Sequence, residues 1–330
     1  MSPWLIARGN KRIEVLMNQP TDTFSELTRS LLTSCTLCPR RCGANRVEGQ
    51  LGACGMPAQL MAARAALHFW EEPCLSGTSG SGTVFFTGCN LGCVFCQNHD
   101  IAARRRGVPI SVERLSRVYL ELQEKGAHNI NLVTPTHYLP QILESLEKAK
   151  KQGLTLPIVY NCGGYEEVSS LRMLEGLIDI YLPDLKYRSS NLSARLSHCP
   201  DYFEKASLAL QEMYRQTGDP QFDDKSGLMK KGMIVRHLLL PGQAGEAKRI
   251  LRWLHDTFGQ HIYVSIMSQY TPMPWIKENP AYSDISRQVT EAEYDRVLRF
   301  AETIGIELGF RQEGGVATES FIPPFTGEGL

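Results

Sequence analysis

The sequence lacks an excess of charge of either sign, a long apolar run and a leading apolar segment. Its 35 Lys and Arg residues balance 35 Asp and Glu residues in 330 positions, so it has no overall attraction to nucleic acid or to an anionic membrane. Nowhere do about 18 apolar residues follow one another, so no membrane-spanning helix is predicted. The opening residues MSPWLIARGNKRIEV do not have the apolar core of a secretory signal. We therefore expect a cytoplasmic protein without a membrane partner, and nucleic acid is not an expected partner.

Ten cysteines are present in this chain. Because cytosolic thiols are kept reduced, metal binding or catalysis is a better account of them than disulfides. Seven of them form two groups, which are Cys35, Cys38, Cys42 and Cys54, and Cys89, Cys93 and Cys96. Outside the groups, Cys74 is either a spare ligand or a buried residue, Cys162 is either part of a site or a small buried apolar residue, and Cys199 has no partner pattern.

Short β-branched or aromatic runs alternate with amphipathic stretches from residue 83 onward. The runs predict strands at 83–88, 129–133, 156–161, 178–184, 233–240, 262–268 and, more weakly, 306–313. Five stretches between or after them have helical apolar spacing, and Thr290 with Glu293 forms a capping box that predicts the start of the last helix. This βα alternation indicates a parallel sheet with both faces covered.

Six or seven βα units are too few for a complete eight-stranded barrel. We therefore predict an α/β fold with an incomplete (β/α)6-type TIM barrel, in which the chemistry lies at the carboxyl ends of the strands. The glycine- and serine-rich stretch SGTSGSG at 76–82 predicts a hinge. The predicted domains are an N-terminal four-cysteine metal-binding module with its hinge at 1–80, and the partial barrel at 81–330.

The stretch FFTGCNLGCVFCQNHD, residues 85–100, places Cys89, Cys93 and Cys96 at C-x3-C-x2-C spacing. These cysteines directly follow the first predicted strand, at the catalytic rim. A [4Fe-4S] cluster normally takes four thiolates, so three cysteines leave one iron open for a small molecule. Gly88 and Gly92 allow the tight loop that aims several thiolates at one cluster.

The segment GCNLGCVFCQN resembles the cluster-binding loop of the radical S-adenosylmethionine (SAM) superfamily. The segments CQNHDIA, YNCGGYE, YLPDLKY, VRHLLLPG and MSQYTP resemble the branch that contains the pyruvate formate-lyase activating enzymes, among relatives with an N-terminal four-cysteine module. The resemblance implies a partial barrel of the radical SAM kind, a [4Fe-4S] cluster on Cys89, Cys93 and Cys96, and SAM bound at the open iron. It also implies a flavodoxin- or ferredoxin-type electron donor and a 5′-deoxyadenosyl radical that abstracts hydrogen, possible substrates being a glycine of a glycyl radical enzyme or another protein.

The same resemblance implies a set of residues around SAM. They are Phe95, Asn98, Asn161, Asp184, Lys186, Arg236 and Gln269. A cation at Lys186 suits the SAM carboxylate, and Asp184 suits the ribose or a bound cation, although a salt bridge between the two at the rim is the alternative. Arg236 and His237 interrupt an apolar strand, which is costly unless they are paired or functional, and His237 is equally consistent with a core histidine. We assign no residue to direct catalysis.

One segment departs from the family pattern. Relatives carry a Gly-Gly-Glu segment after the second strand that holds the SAM amino group, whereas this chain has LVTPTHYLP. Thr134, Thr136 and His137 offer acceptors there but no carboxylate.

Cys35, Cys38, Cys42 and Cys54 form a C-x2-C-x3-C-x11-C array within twenty residues. Four thiolates at this spacing can close a tetrahedral zinc site or hold a second iron–sulfur cluster, and we favour the cluster slightly. Glu71 and Glu72, between this module and the barrel, are expected on a solvated surface.

These features predict a radical SAM enzyme, possibly one that activates a glycyl radical enzyme. An alternative is radical SAM chemistry on a small molecule or another macromolecule. A third possibility, from a different class, is a zinc-ribbon protein that binds nucleic acid through residues 35–54. The zero net charge and the three-cysteine loop argue against it.

Overall fold

The computed structural model describes residues 25–104, 106–312 and 323–330. Within them the strands are β1 (Met61–His68), β2 (Ser81–Phe86), β3 (Val108–Pro109), β4 (Ile130–Val133), β5 (Ile158–Cys162), β6 (Ile180–Pro183), β7 (Gln221–Phe222), β8 (Met229–Leu238), β9 (Tyr263–Met267) and β10 (Gly309–Arg311). All seven predicted strands are present, and the last residue of the weakest prediction, 306–313, lies outside the described ranges.

The α-helices of the described ranges follow in chain order. They are α1 (Glu26–Thr33), α2 (Pro73–Ser76), α3 (His99–Ala102), α4 (Val112–Glu124), α5 (Leu139–Lys151), α6 (Val168–Arg172), α7 (Ser190–Ser197), α8 (Tyr202–Thr217), α9 (Ala244–Phe258), α10 (Pro274–Lys277) and α11 (Glu291–Thr303). Short 3₁₀ helices occupy Arg46–Glu48, Thr136–Tyr138 and Pro280–Ile285. The five predicted helices correspond to α4, α5, α8, α9 and α11. Among the described residues, no helix combines the length and the apolar character needed to span a membrane.

The strands form one sheet in the order β10-β9-β8-β6-β5-β4-β2-β1-β3, and β7 pairs with β8. Every pair from β2 to β10 along this order is parallel. The two ends of the order do not pair with each other, so the predicted incomplete α/β barrel is confirmed. Because the strands are parallel, their carboxyl ends share one rim.

The β1 strand is the main difference from the predicted organisation. It pairs antiparallel with β2 from Ala62 opposite Phe86 to His68 opposite Ser81, so residues on the N-terminal side of position 81 belong to the barrel sheet. The stretch 76–82 ends α2 at Ser76 and begins β2 at Ser81. It joins α2 to β2 within the sheet that β1 also joins.

The capping box of α11 allows a test of local stability. The Thr290 Oγ1 atom accepts a hydrogen bond from the Glu293 N–H at 3.3 Å, and the Glu293 carboxylate accepts one from the Thr290 N–H at 3.0 Å. We expect Thr290→Ala to lower the free energy of unfolding by about 1 kcal/mol, because the first turn loses a partner for its N–H group. The matched control is Thr303→Ala, which removes an exposed hydroxyl from the last turn of the same helix. Urea unfolding measures both variants, and equal stability of the two would contradict the prediction.

Candidate active site

A cavity of about 250 Å³ lies at the carboxyl ends of the parallel strands. The three loop cysteines and all seven residues predicted to surround SAM line it. They are Cys89, Cys93, Cys96, Phe95, Asn98, Asn161, Asp184, Lys186, Arg236 and Gln269. These residues are spread over 181 positions of sequence (89 to 269) and meet because each follows or ends a strand that reaches the same rim.

The cysteine loop begins directly after β2. Gly88 and Gly92 have φ values of 93° and 65°, in the left-handed region that favours glycine. A side chain at Gly88 would also collide with Met56. The loop is held at both ends, since the Arg40 Nε–H donates to the Asn90 carbonyl at 3.0 Å and the Trp275 indole N–H donates to the Val94 carbonyl at 2.7 Å.

The loop thiols are half-buried and influence one another. Burial and the neighbouring Cys93 raise the pKa of Cys89, and burial with both neighbouring thiols raises the pKa of Cys96, whereas Lys186 opposes each shift. Two hydrogen-bond donors point at the sulfurs: the Leu91 N–H lies 3.4 Å from Cys89 Sγ, and the Ser197 hydroxyl oxygen lies 3.0 Å from Cys93 Sγ. Such donors suit sulfurs that carry negative charge.

An ion-pair network forms another wall of the cavity. Arg236 donates from Nη1 to a Glu71 carboxylate oxygen at 3.0 Å, from Nε to Asp184 at 3.3 Å and from Nη2 to Asn161 Oδ1 at 2.5 Å. Lys186 pairs with the second oxygen of Asp184. Burial alone would raise the pKa of Asp184, but Lys186 and Arg236 lower it. The network therefore pairs the cations of Lys186 and Arg236 with Asp184, whose charged form they stabilise inside the cavity.

Residues 83–205 match the family model described as the Radical SAM superfamily. The chain contains a radical SAM domain. This domain begins in β2 and includes the cysteine loop, Asn161, Asp184 and Lys186.

The similarity to other proteins extends beyond the radical SAM domain. The chain is 28% identical over 297 residues to the uncharacterized protein MJ0674 of Methanocaldococcus jannaschii. The matched region covers 87% of this chain and 80% of that protein. Among solved structures, methylornithine synthase (PylB) matches with 16% identity and a TM-score of 0.45, covering 65% of this chain. SuiB of Streptococcus suis, bound to SAM, matches with 14% identity and a TM-score of 0.46, covering 69% of this chain. The chain spans 59% and 49% of the lengths of these two structures.

The family whose model matches residues 83–205 is characterised by a [4Fe-4S] cluster and SAM, and the cavity fits both. Three thiols line one space with donors aimed at two of their sulfurs. A cluster engages each thiolate through a different iron and needs no convergence on one ion. Lys186 and Arg236 supply cations for a carboxylate, and Asn161 in β5 and Gln269 after β9 supply amide groups.

Several residues have other surroundings than the sequence suggested. Thr136 donates to the buried Glu166 carboxylate at 2.7 Å, and His137 is buried with its Nε2 atom 2.7 Å from the Thr87 carbonyl, so of the TPTHY segment only Thr134 lines the cavity. Thr134 has a φ of 58°, which is uncommon for a β-branched residue. His237 is a core histidine whose Nδ1 atom lies 2.8 Å from the Leu185 carbonyl.

Glu71 and Glu72 are the clearest corrections. Both were expected on a solvated surface, but Glu71 has 7% side-chain exposure and lines the cavity, and Glu72 is buried, which raises its pKa. The sequence offered one weak signal, namely that an acidic pair follows, after two aromatic residues, the alanine-rich segment that becomes β1.

The remaining isolated cysteines are accounted for by burial. Cys74 packs in a small cluster with Leu75 and Val159 at the start of the barrel strands. Cys199 is buried, and the Arg40 guanidinium lies 2.7 Å from its sulfur. Cys162 is buried and also lines the cavity, so both of its alternatives hold in part.

Cys42 and Cys54 flank Gly52, and Cys38 lies near enough to Cys35 and Cys54 to interact with them electrostatically. A Cβ atom at Gly52 would be 3.3 Å from Cys54 Sγ and 3.5 Å from Cys42 Sγ. Burial raises the pKa of Cys38 to about 12, whereas backbone N–H groups and Arg46 lower that of Cys42 against the effect of its burial. In the described ranges no three His, Cys, Asp or Glu side chains converge on one ion position. The choice between zinc and a cluster therefore stays a prediction.

Proposed function

We propose that this chain is a radical SAM enzyme that holds a [4Fe-4S] cluster through Cys89, Cys93 and Cys96 and binds SAM in the adjoining cavity. The observation that supports the proposal is that the three cysteines and the seven predicted SAM residues line one cavity. A cluster held by Cys89, Cys93 and Cys96 would supply the electron for reductive cleavage of SAM and so the chemistry for hydrogen abstraction from a substrate.

The residues of the cavity have separate tasks in this proposal. Lys186 and Arg236 bind the SAM carboxylate, and Asp184 holds both cations in place through its two oxygens. Asn161 and Gln269 bind the polar edges of the nucleoside. The aromatic ring of Phe95 is buried edge-on to Tyr187 and Tyr270, so it sets the position of the loop between Cys93 and Cys96 and shields the cluster from water.

The test is anaerobic reconstitution of the full chain with iron and sulfide. We expect a brown protein with about four irons at the loop site, and 5′-deoxyadenosine when SAM and a strong reductant are added. A colourless protein that contains only zinc would overturn the proposal.

We further propose that the substrate is a glycine in a glycyl radical enzyme, which inserts a loop into the barrel mouth. The motifs of the activating-enzyme branch support this assignment. A second cavity of about 510 Å³ shares Gln97 and Pro323 with the first and is lined by His99 and Trp275, so the site continues into a space that an extended peptide can enter. Mixing with such a partner should give a glycyl radical signal in electron paramagnetic resonance (EPR). Its absence, with uncoupled SAM cleavage retained, would favour a small molecule or another macromolecule.

We also propose that the four-cysteine module binds its own metal, either a second cluster or zinc. Cys38→Ala should then remove that metal and lower the melting temperature, since a segment this small buries little apolar surface without it. Iron and zinc analysis against Cys74→Ala, which alters a buried cysteine outside both groups, measures the loss. Wild-type metal content in the Cys38→Ala protein would contradict the assignment.

A further inference from the structure

The end of α7 lies directly against the cysteine loop. The Leu196 carbonyl accepts a hydrogen bond from the Val94 N–H at 2.9 Å, and the Ser197 hydroxyl donates to Cys93 Sγ across 3.0 Å. Ser197 is fully buried, so its hydroxyl does not exchange partners with bulk water. A buried hydroxyl is thus directed at a sulfur that the proposed function assigns to iron.

Tyr187 completes this arrangement from the other side. Its hydroxyl oxygen lies 2.7 Å from Ser197 Oγ, and Tyr187 is also fully buried. Each hydroxyl has one proton to give. When the Ser197 hydroxyl donates a hydrogen bond to the Cys93 sulfur, its oxygen can accept a hydrogen bond from the Tyr187 hydroxyl. Both hydroxyl protons are then used, and the hydrogen bonds run from Tyr187 through Ser197 to Cys93.

Arg40 fixes the position of this chain of hydrogen bonds from Tyr187 through Ser197 to Cys93, which we call the relay. Its guanidinium donates to the carbonyls of Ser197 at 3.1 Å and His198 at 2.6 Å, and also to the Asn90 carbonyl in the cysteine loop at 3.0 Å. One side chain therefore ties the end of α7 to the loop, which limits changes in the distance between Ser197 and Cys93.

We propose that Ser197, supported by Tyr187, is a positioning residue that raises the reduction potential of the cluster by hydrogen bonding to the Cys93 sulfur; this rests on the proposed function. Reduction adds one electron, from a flavodoxin- or ferredoxin-type donor or from a chemical reductant, and leaves the sulfurs more negative. A donor aimed at a ligand sulfur stabilises the reduced state more than the oxidised state. The relay itself transfers no proton.

The experiment is a redox titration, followed by EPR, of the reconstituted full-length protein without SAM. Ser197→Ala should lower the equilibrium constant for one-electron reduction by about tenfold, which corresponds to about 59 mV for one electron. Tyr187→Phe should shift the potential in the same direction by less. Ser197→Thr keeps a hydroxyl and should retain the wild-type potential.

The matched control is Ser193→Ala. Ser193 is buried in the same helix, but its hydroxyl donates to the Ser190 carbonyl and not to the loop, so its loss should leave the potential unchanged. An intact cluster with wild-type potential in Ser197→Ala would overturn the relay while leaving the proposed function in place. If Ser197→Ala fails to assemble a cluster, an unshifted potential in Tyr187→Phe would overturn it. A wild-type protein that assembles no cluster would overturn both.

Discussion

Cys93→Ala is expected to lower SAM cleavage below about one thousandth of the wild-type rate. Alanine offers no ligand atom, so the loop would keep two of its three thiolates and the cluster would be lost or incomplete. Cys93 is also the sulfur that Ser197 contacts. Iron content, the EPR signal of the reduced cluster and the yield of 5′-deoxyadenosine should fall together.

Cys74→Ala is the matched control for this prediction. Cys74 is buried in a separate apolar cluster and does not line the cavity. It should keep the iron of the loop site and the rate of SAM cleavage, with at most a moderate loss of stability. Full SAM cleavage by Cys93→Ala would show that the loop is not the cluster site.

Arg236→Ala is expected to have two effects. It should abolish measurable SAM binding, because the proposed carboxylate site loses one of its two cations. It should also lower the free energy of unfolding by about 3 kcal/mol or more, since Glu71 loses its cation in the cavity whereas Asp184 keeps Lys186. Isothermal titration with SAM and denaturant unfolding measure the two effects separately.

The double variant Arg236→Ala with Glu71→Gln separates binding from stability. Removing the Glu71 charge relieves most of the burial penalty, so stability should largely recover. SAM binding should stay lost, because no cation has been restored. Arg195→Ala, which breaks an exposed pair with Asp284, is the control and should cost less than about 1 kcal/mol. Recovery of SAM binding in the double variant would contradict the assigned role of Arg236.

The strands and most of the cavity could be predicted from sequence for one reason. Parallel strands place their carboxyl ends on one rim, so polar residues that end apolar runs, such as Asn161 and Asp184, must come together even when they are distant in the chain. The periodicity of the apolar runs was enough to find these ends, and the exact bounds were not needed.

The parts that were missed depend on tertiary partners. The strand Met61–His68 has the sequence MAARAALH, whose alanines favour a helix, and it becomes a strand because pairing with β2 overrides that preference. Glu71 is buried with two distant partners, Asn131 and, 165 residues later, Arg236. Ser197 lies in a short helix without a strong apolar stripe, so nothing nearby in the sequence connects it with Cys93.

The antiparallel pairing of β1 with β2 has a consequence for dividing this chain. A fragment that started at residue 81 would expose the backbone donors and acceptors of β2 along a wholly buried strand. Such an open edge invites strands of other molecules and promotes aggregation. A shortened protein that is meant to keep this edge covered should therefore begin before Met61.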